Sequence, residues 1–222
     1  MIFHIPFSGS EIPRVYDLDF DISKDELISK SDKFLDELVK TPLYLQIKSK
    51  WSRLFCDMNT QRENAVTNKD LESERILSEY YDLHQKMLGD ACVNSLHLNP
   101  SLVLVHFVSC EDNDFEIYYN EDEIEHLATL IKDHLTEYKV KTKKETFANM
   151  ENDSGKIYQL EIRVNKKLFR DGNEKSDNFI KIKNIFDELF AFINKFEEEM
   201  EDKNNEKKKE NSDIVAEIVD SK

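Results

Sequence analysis

The chain has 222 residues, 39% of them hydrophobic and 35% charged, with a formal net charge of −15. That length suits a single domain with a core of its own. So acidic a chain is repelled by phosphate backbones and anionic headgroups, which argues against a nucleic-acid or membrane partner.

Residues 2–7 of MIFHIPFSGSEIP read as a first strand, which runs through Pro6 into the small-residue turn Ser8-Gly9-Ser10. A strand that ends in small residues places backbone N–H groups at its C-terminal edge, where open α/β sheets bind ligands. SKDELISKSDKFLDELV follows as a helix, with Ser23 and Glu26 at capping-box spacing and an apolar stripe of Leu27, Phe34, Leu35 and Leu38. LYLQIKSKW is ambiguous. WSRLFCDMN alternates in a way that suits a strand ending at Asp57-Met58-Asn59, with Arg53 and Asp57 on one face. After a polar loop, a long helix is expected from Asp70 to about Leu98.

SLVLVHFVS, after Pro100, is a nearly unbroken apolar run, the pattern of a strand buried on both faces. DFEIYYN reads as a shorter strand, EDEIEHLATLIKDHLTEY as an amphipathic helix, 139–143 as a further strand and IYQLEIRV as a strand with alternating faces. From Asp177 the apolar residues Phe179, Ile182, Phe186, Leu189, Ile193, Phe196 and Met200 repeat at heptad spacing. Such a helix packs on the sheet face or pairs with a second copy, giving a homodimer through 177–200. Beyond Met200 the charged stretch is expected to be a disordered tail, so the domain spans 1–200 and the tail 201–222. Strands alternating with helices imply an α/β fold, a mixed or mostly parallel sheet with helices on both faces.

No apolar run approaches the roughly 20 residues of a bilayer span, and no secretory leader is expected at the start. Cys56, Cys92 and Cys110 are odd in number and widely spaced, which fits reduced thiols in the cytoplasm. His106, inside an apolar strand, needs a polar partner and is the histidine best placed to line a site. His4 reads as a core histidine and His84 as a half-buried one on a helix. Four glycines in the chain argue against nucleotide-cradling loops.

Several blocks, taken in order over residues 1–170, resemble N-formylglutamate amidohydrolases. HIPFSGSEIP is similar to that family's His-Ile-Pro-His block, SDKFLDELV to its Thr-Asp-x-x-Thr-Asp-x-Leu-Phe helix and WSRLFCDMN to its Ser-Arg-Leu strand. EYYDLHQKM is similar to its Tyr-Tyr-x-Pro-His helix start, LVLVHFVS to the strand closing in Asp-x-His-Ser, and QLEIRVNKKLF to its late strand. The resemblance implies a zinc-carboxypeptidase-like architecture and hydrolysis of a small N-acyl amino acid at a metal site. It also implies a carboxylate base and an Arg gripping the substrate carboxylate. Two positions where the family has His are Phe7 and Val108, which leaves the site altered. The residues carried over are Asp32 and Asp57, with His106 as a substitute ligand, for a possible zinc, and Glu161 as base. Ser8, Gly9, Arg53, Ser109 and Arg163 are carried over as contacts of a small acidic ligand. Either Glu161 or Arg163 occupies the family's Glu position, two residues apart on one strand face. On that basis Arg53 and Arg163, rather than carboxylates, are expected to set the charge of the cleft. A non-catalytic paralogue that binds a small carboxylate or a protein partner is the alternative reading.

Overall fold

Strand β1 (Ile2–Ile5) is a fully buried apolar segment. The computed structural model that contains it describes residues 1–16, 22–66, 73–145, 147 and 155–220. At Val15 and from residue 204 onward it describes the backbone alone. After β1 come helices α1 (Lys24–Lys30) and α2 (Leu35–Leu38), then strand β2 (Leu45–Lys48). Helix α3 (Ser73–Ile76) passes through a π-helical turn, Leu77–Tyr81, into α4 (Asp82–Leu96). The second half of the fold comprises β3 (Ser101–Cys110), β4 (Phe115–Tyr119), α5 (Asp122–His134), β5 (Val140–Lys144), β6 (Lys156–Asn165) and α6 (Lys166–Phe169). A small hairpin of β7 (Arg170–Asp171) and β8 (Glu174–Lys175) leads to the last helix, α7 (Phe179–Asp220).

Six strands form one mixed sheet in the order β2-β1-β3-β6-β4-β5. β2, β1, β3 and β6 run parallel, while β4 lies antiparallel to β6 and carries β5 parallel to itself. Side chains alternate between faces along each strand. Phe3, Ile5, Val103, Val105, Phe107, Leu160 and Ile162 therefore enter one core, against α2, α5 and α7. Ile2, Leu102 and Leu104 enter another, against Leu88, Cys92 and Leu96 of α4. β3 is covered on both faces, as its unbroken apolar sequence requires. The fold is thus the α/β arrangement expected, with helices on both sides.

The heptad-spaced residues of α7 are spent on the sheet. Ile182, Phe186, Leu189 and Ile193 are fully buried in the first core, each contributing roughly 1.5–3 kcal/mol. That leaves no apolar seam along 177–200 for a second copy, so a homodimer through this helix has no support among the described residues. The helical backbone continues past Met200 to Asp220, through the stretch expected to be disordered.

Two segments depart from the sequence reading. The helix expected over 23–39 is capped as anticipated, Ser23 Oγ accepting from Glu26 N at 3.2 Å, but it stops at Lys30. Phe34 then adopts a left-handed backbone, φ 74°. The interruption turns Asp32 inward, where its N–H donates to Phe7 O at 2.7 Å. Tertiary bonds override local helix propensity here. The strand expected over 51–59 is a series of turns, with Phe55 N and Cys56 N both donating to Ser52 O. Trp51 alone bridges, to Glu11. Phe55, Cys56 and Met58 enter one satellite core with Tyr16, Ile76 and Tyr81, so the alternation in sequence does not mark two faces. The start of the long helix expected from Asp70 falls at 70–72, outside the described residues.

Candidate active-site cleft

Beyond the apolar cover of α4, the same sheet face turns polar. His4, His106, Glu161 and Tyr118 lie in register across β1, β3, β6 and β4. Two residues further along β3, Val108, Arg163 and Glu116 form the next row. The strand period of two brings both rows to one face. His4, His106, Glu161 and Arg163 of these rows line a cleft of about 390 Å³ together with Met58, Asn59, Tyr81, Gln85 and Phe147. A second lobe, sharing Asn59, Thr60 and Arg163, is lined by Phe7, Arg53, Asp57, Val108 and Ser109.

Glu161 is only 2% exposed. Its carboxylate accepts from Asn59 Nδ2 at 2.9 Å and from Arg163 Nε at 2.5 Å. Arg163 also lies 3.7 Å from Glu116 and packs 4.2 Å over the Tyr118 ring. Burial alone would raise the Glu116 carboxyl. Hydrogen bonds from Asn113 and Tyr118, with Lys141 and Arg163 nearby, outweigh it and hold the group below its usual value.

In the second lobe the Arg53 guanidinium sits 4.3 Å over the Phe7 ring and 3.7 Å from Asp57. Burial pushes Asp57 up, and the neighbouring Glu161 and Asp32 add to that push against the Asn59 N–H and Arg53. Asp32 is wholly buried and accepts from both the N–H (2.9 Å) and the hydroxyl of Ser109. Lys166 Nζ stands 3.6 Å away. Burial raises the Asp32 carboxyl and lowers the Lys166 ammonium, as expected for an ion pair taken out of water.

A row of three buried imidazoles leads into the cleft. His84 Nε2 lies 2.9 Å from His4 Nε2, and His4 Nδ1 lies 2.9 Å from His106 Nδ1. His106 Nε2 lies 3.3 Å from Gln159 Oε1. Burial depresses all three, His84 to about 4.

The structure brings together Arg53, Asp57, Glu161, Arg163 and His106 around the two lobes. It separates Ser8 and Gly9 from them. Ser8 Oγ donates to Ser49 O at 3.1 Å, and both residues line a shallow depression with Lys48 and Lys50. Gly9 is required by close approach, since a Cβ there would lie 1.9 Å from the Lys50 backbone. Ser109 lines the lobe, but its two donors are committed to Asp32. Asp32, expected within a helix and as a metal ligand, instead anchors the turn beneath the cleft through its bonds to Phe7 and Ser109. The expectation that arginines set the charge also fails: Asp57, Glu116 and Glu161 offset Arg53 and Arg163 there. Sequence reading passed over Glu116, Asn59, Gln159, Lys166 and the pairing of His4 with His84. For Glu116 the signal was an acid inside an apolar strand; the others meet only through tertiary contact.

The zinc that the resemblance implies would need donor atoms from this residue set. Phe7 and Val108 offer no donor atom. His106 faces His4 and Gln159, Asp32 faces Ser109 and Lys166, and Asp57 faces Arg53 and the Asn59 N–H. No group of three or more His, Cys, Asp or Glu among the described residues is arranged to hold an ion. The donors among the described residues do not fit a zinc site, which needs three protein ligands around an open position.

No protein-family model matches the chain, and no curated protein matches it in sequence. Solved structures do match in fold. The N-formylglutamate amidohydrolase of Ralstonia eutropha JMP134 superposes with a TM-score of 0.72 at 13% identity, covering 89% of this chain and 94% of that one. A gene product of Agrobacterium tumefaciens superposes with a TM-score of 0.66, also at 13% identity, covering 88% and 91%. No helix among the described residues is long and apolar enough to cross a membrane. Over most of its length the chain thus has the fold of an N-formylglutamate amidohydrolase, the fold that the sequence blocks had implied.

Proposed function

We propose that the chain is an N-formylglutamate amidohydrolase-like protein that acts on the amide bond of a small N-acyl amino acid, at a rate held low by its altered site. The observation that carries this reading is Glu161. It is a buried carboxylate in the floor of the cleft, between His106 and Arg163, in a fold matched to an N-formylglutamate amidohydrolase over 89% of the chain. Glu161 takes the proton of an attacking water, and Arg163 beside it stabilises the oxyanion as charge develops. Arg53, whose bond to Asp57 is long, receives the substrate carboxylate. Since the donor set does not fit zinc, no metal-bound water lowers the barrier at neutral pH. Turnover then falls below the ordinary range of roughly 1–1000 per second. Three cysteines, odd in number and widely spaced in sequence, support a reducing, cytoplasmic setting.

The test is release of free amine from N-formylglutamate and a series of N-acyl amino acids, with metal content measured on the same sample. Slow release that disappears in Glu161→Gln supports the reading. About one zinc per chain with ordinary turnover would overturn the altered-site assignment. The alternative reading is a non-catalytic binder of a small carboxylate or a protein partner, in which Arg163 stays paired with Glu161. Calorimetric binding of a carboxylate ligand without any turnover would select it.

A further inference from the structure

We infer that His84, His4 and His106 form a one-way hydrogen-bond chain that makes Nε2 of His106 the proton donor of the cleft. Each ring nitrogen that faces a partner is fixed by the next. Gln159 Oε1 can only accept, so His106 Nε2 carries the proton. His106 Nδ1 is then bare and accepts from His4 Nδ1–H at 2.9 Å. His4 Nε2 is bare in turn and accepts from His84 Nε2–H at 2.9 Å. With the Gln159 amide oxygen facing the ring, one assignment satisfies all three contacts with every ring neutral. Neutrality suits the surroundings: His4 is 1% exposed, and its titratable neighbours are the other two rings. His106 is faced by Glu161 on β6, Gln159 and the parallel ring of Phe147. His84 is the outer member, 8% exposed on α4.

Such a chain can deliver a proton without burying a charge. His106 Nε2–H leaves Gln159 Oε1 for an acceptor in the cleft, His4 Nδ1–H moves to His106 Nδ1, and His84 Nε2–H moves to His4 Nε2. His84 takes one proton from solvent at Nδ1, and under the hydrolase reading the proton that Glu161 removed from the attacking water returns to solvent, so the count closes. One proton crosses, and each ring ends neutral in its other tautomer. Under the proposed hydrolase reading the acceptor is the leaving nitrogen of the amide, which needs a proton as the C–N bond breaks. That destination rests on the hydrolase reading; the bonding of the three rings does not. His4 and His84 are positioning residues, and His106 is the group that touches the ligand.

The experiment is nitrogen NMR of the full chain with labelled histidine at neutral pH, assigned by single His→Gln variants. The expected result is a proton on Nε2 of His106 and His84 and on Nδ1 of His4, the less common tautomer. In His84→Leu the signals of His4 and His106 shift, and in His84→Gln, which keeps a donor near that position, they recover. His106 protonated on Nδ1, or charged at neutral pH, would overturn the inference. So would signals of His4 and His106 that ignore position 84. The wild-type spectrum decides the tautomers even if a variant folds poorly. Where turnover is measurable, His106→Leu loses on the order of 100-fold in kcat, and His84→Leu lowers kcat with KM unchanged. Predicted tautomers with no turnover on any N-acyl amino acid count against the hydrolase reading and leave the chain of bonds standing.

Discussion

Acidification from about pH 7 to about pH 5 probes the buried histidines through stability. Burial holds His84 at about 4, against 6.5 for an unperturbed histidine. As pH falls, the unfolded chain takes up a proton at this position before the folded chain does, so stability is present above the unfolded value and is lost below it. At 1.36 kcal/mol per unit, the loss at His84 is about 2 kcal/mol by pH 5 and about 3 kcal/mol once the folded value is passed. His4 and His106 act in the same direction, since both are lowered by burial. Asp32 and Asp57 act in the opposite direction, because burial raises them and the folded state gains their protons first. The net slope therefore mixes both classes, and a difference measurement isolates His84. His84→Gln removes the titration and keeps a hydrogen-bond donor. Urea unfolding of wild type and variant at several pH values gives the two stability profiles. The variant should lose about 2 kcal/mol less than wild type over this interval. Parallel profiles, within about 0.5 kcal/mol, would refute the claim that His84 is buried and neutral.

Lys166→Met leaves the buried carboxylate of Asp32 without its cation and should cost about 3 kcal/mol at neutral pH. The cost shrinks in acid, where Asp32 takes a proton; a cost unchanged with pH in denaturant titrations would argue against the pair. Arg53→Gln should weaken binding of an N-acyl amino acid roughly tenfold, with little effect on its amide-capped analogue. Calorimetry showing equal loss for both ligands would remove Arg53 from carboxylate recognition. Limited proteolysis should trim the chain after about residue 200 and leave a stable core, because large apolar residues thin out beyond Met200. Early cleavage within β3 would contradict its central place in the sheet.

The sequence by itself determined the layered α/β fold. The unbroken apolar run of β3, the two-residue alternation of β6 and the amphipathic pattern of α5 each reflect a local periodicity that burial demands, so each is readable from neighbours in the chain. The heptad spacing of α7 is equally visible, but whether it faces a sheet or a second copy depends on what lies opposite, and only the packed structure shows the sheet there. The cleft was partly legible. His106 stood out as a polar residue in an apolar strand, and Glu161 and Arg163 fell on one face by strand period. Register across strands is set by pairing between distant segments. Thus the row His4–His106–Glu161–Tyr118, the reach of His84 to His4, and Glu116 opposite Arg163 were decided only in three dimensions. The same holds for Asp32. Its helical surroundings in sequence gave no sign that hydrogen bonds to Phe7 and Ser109, from segments 25 and 77 positions away, would pull it out of a helix and under the site.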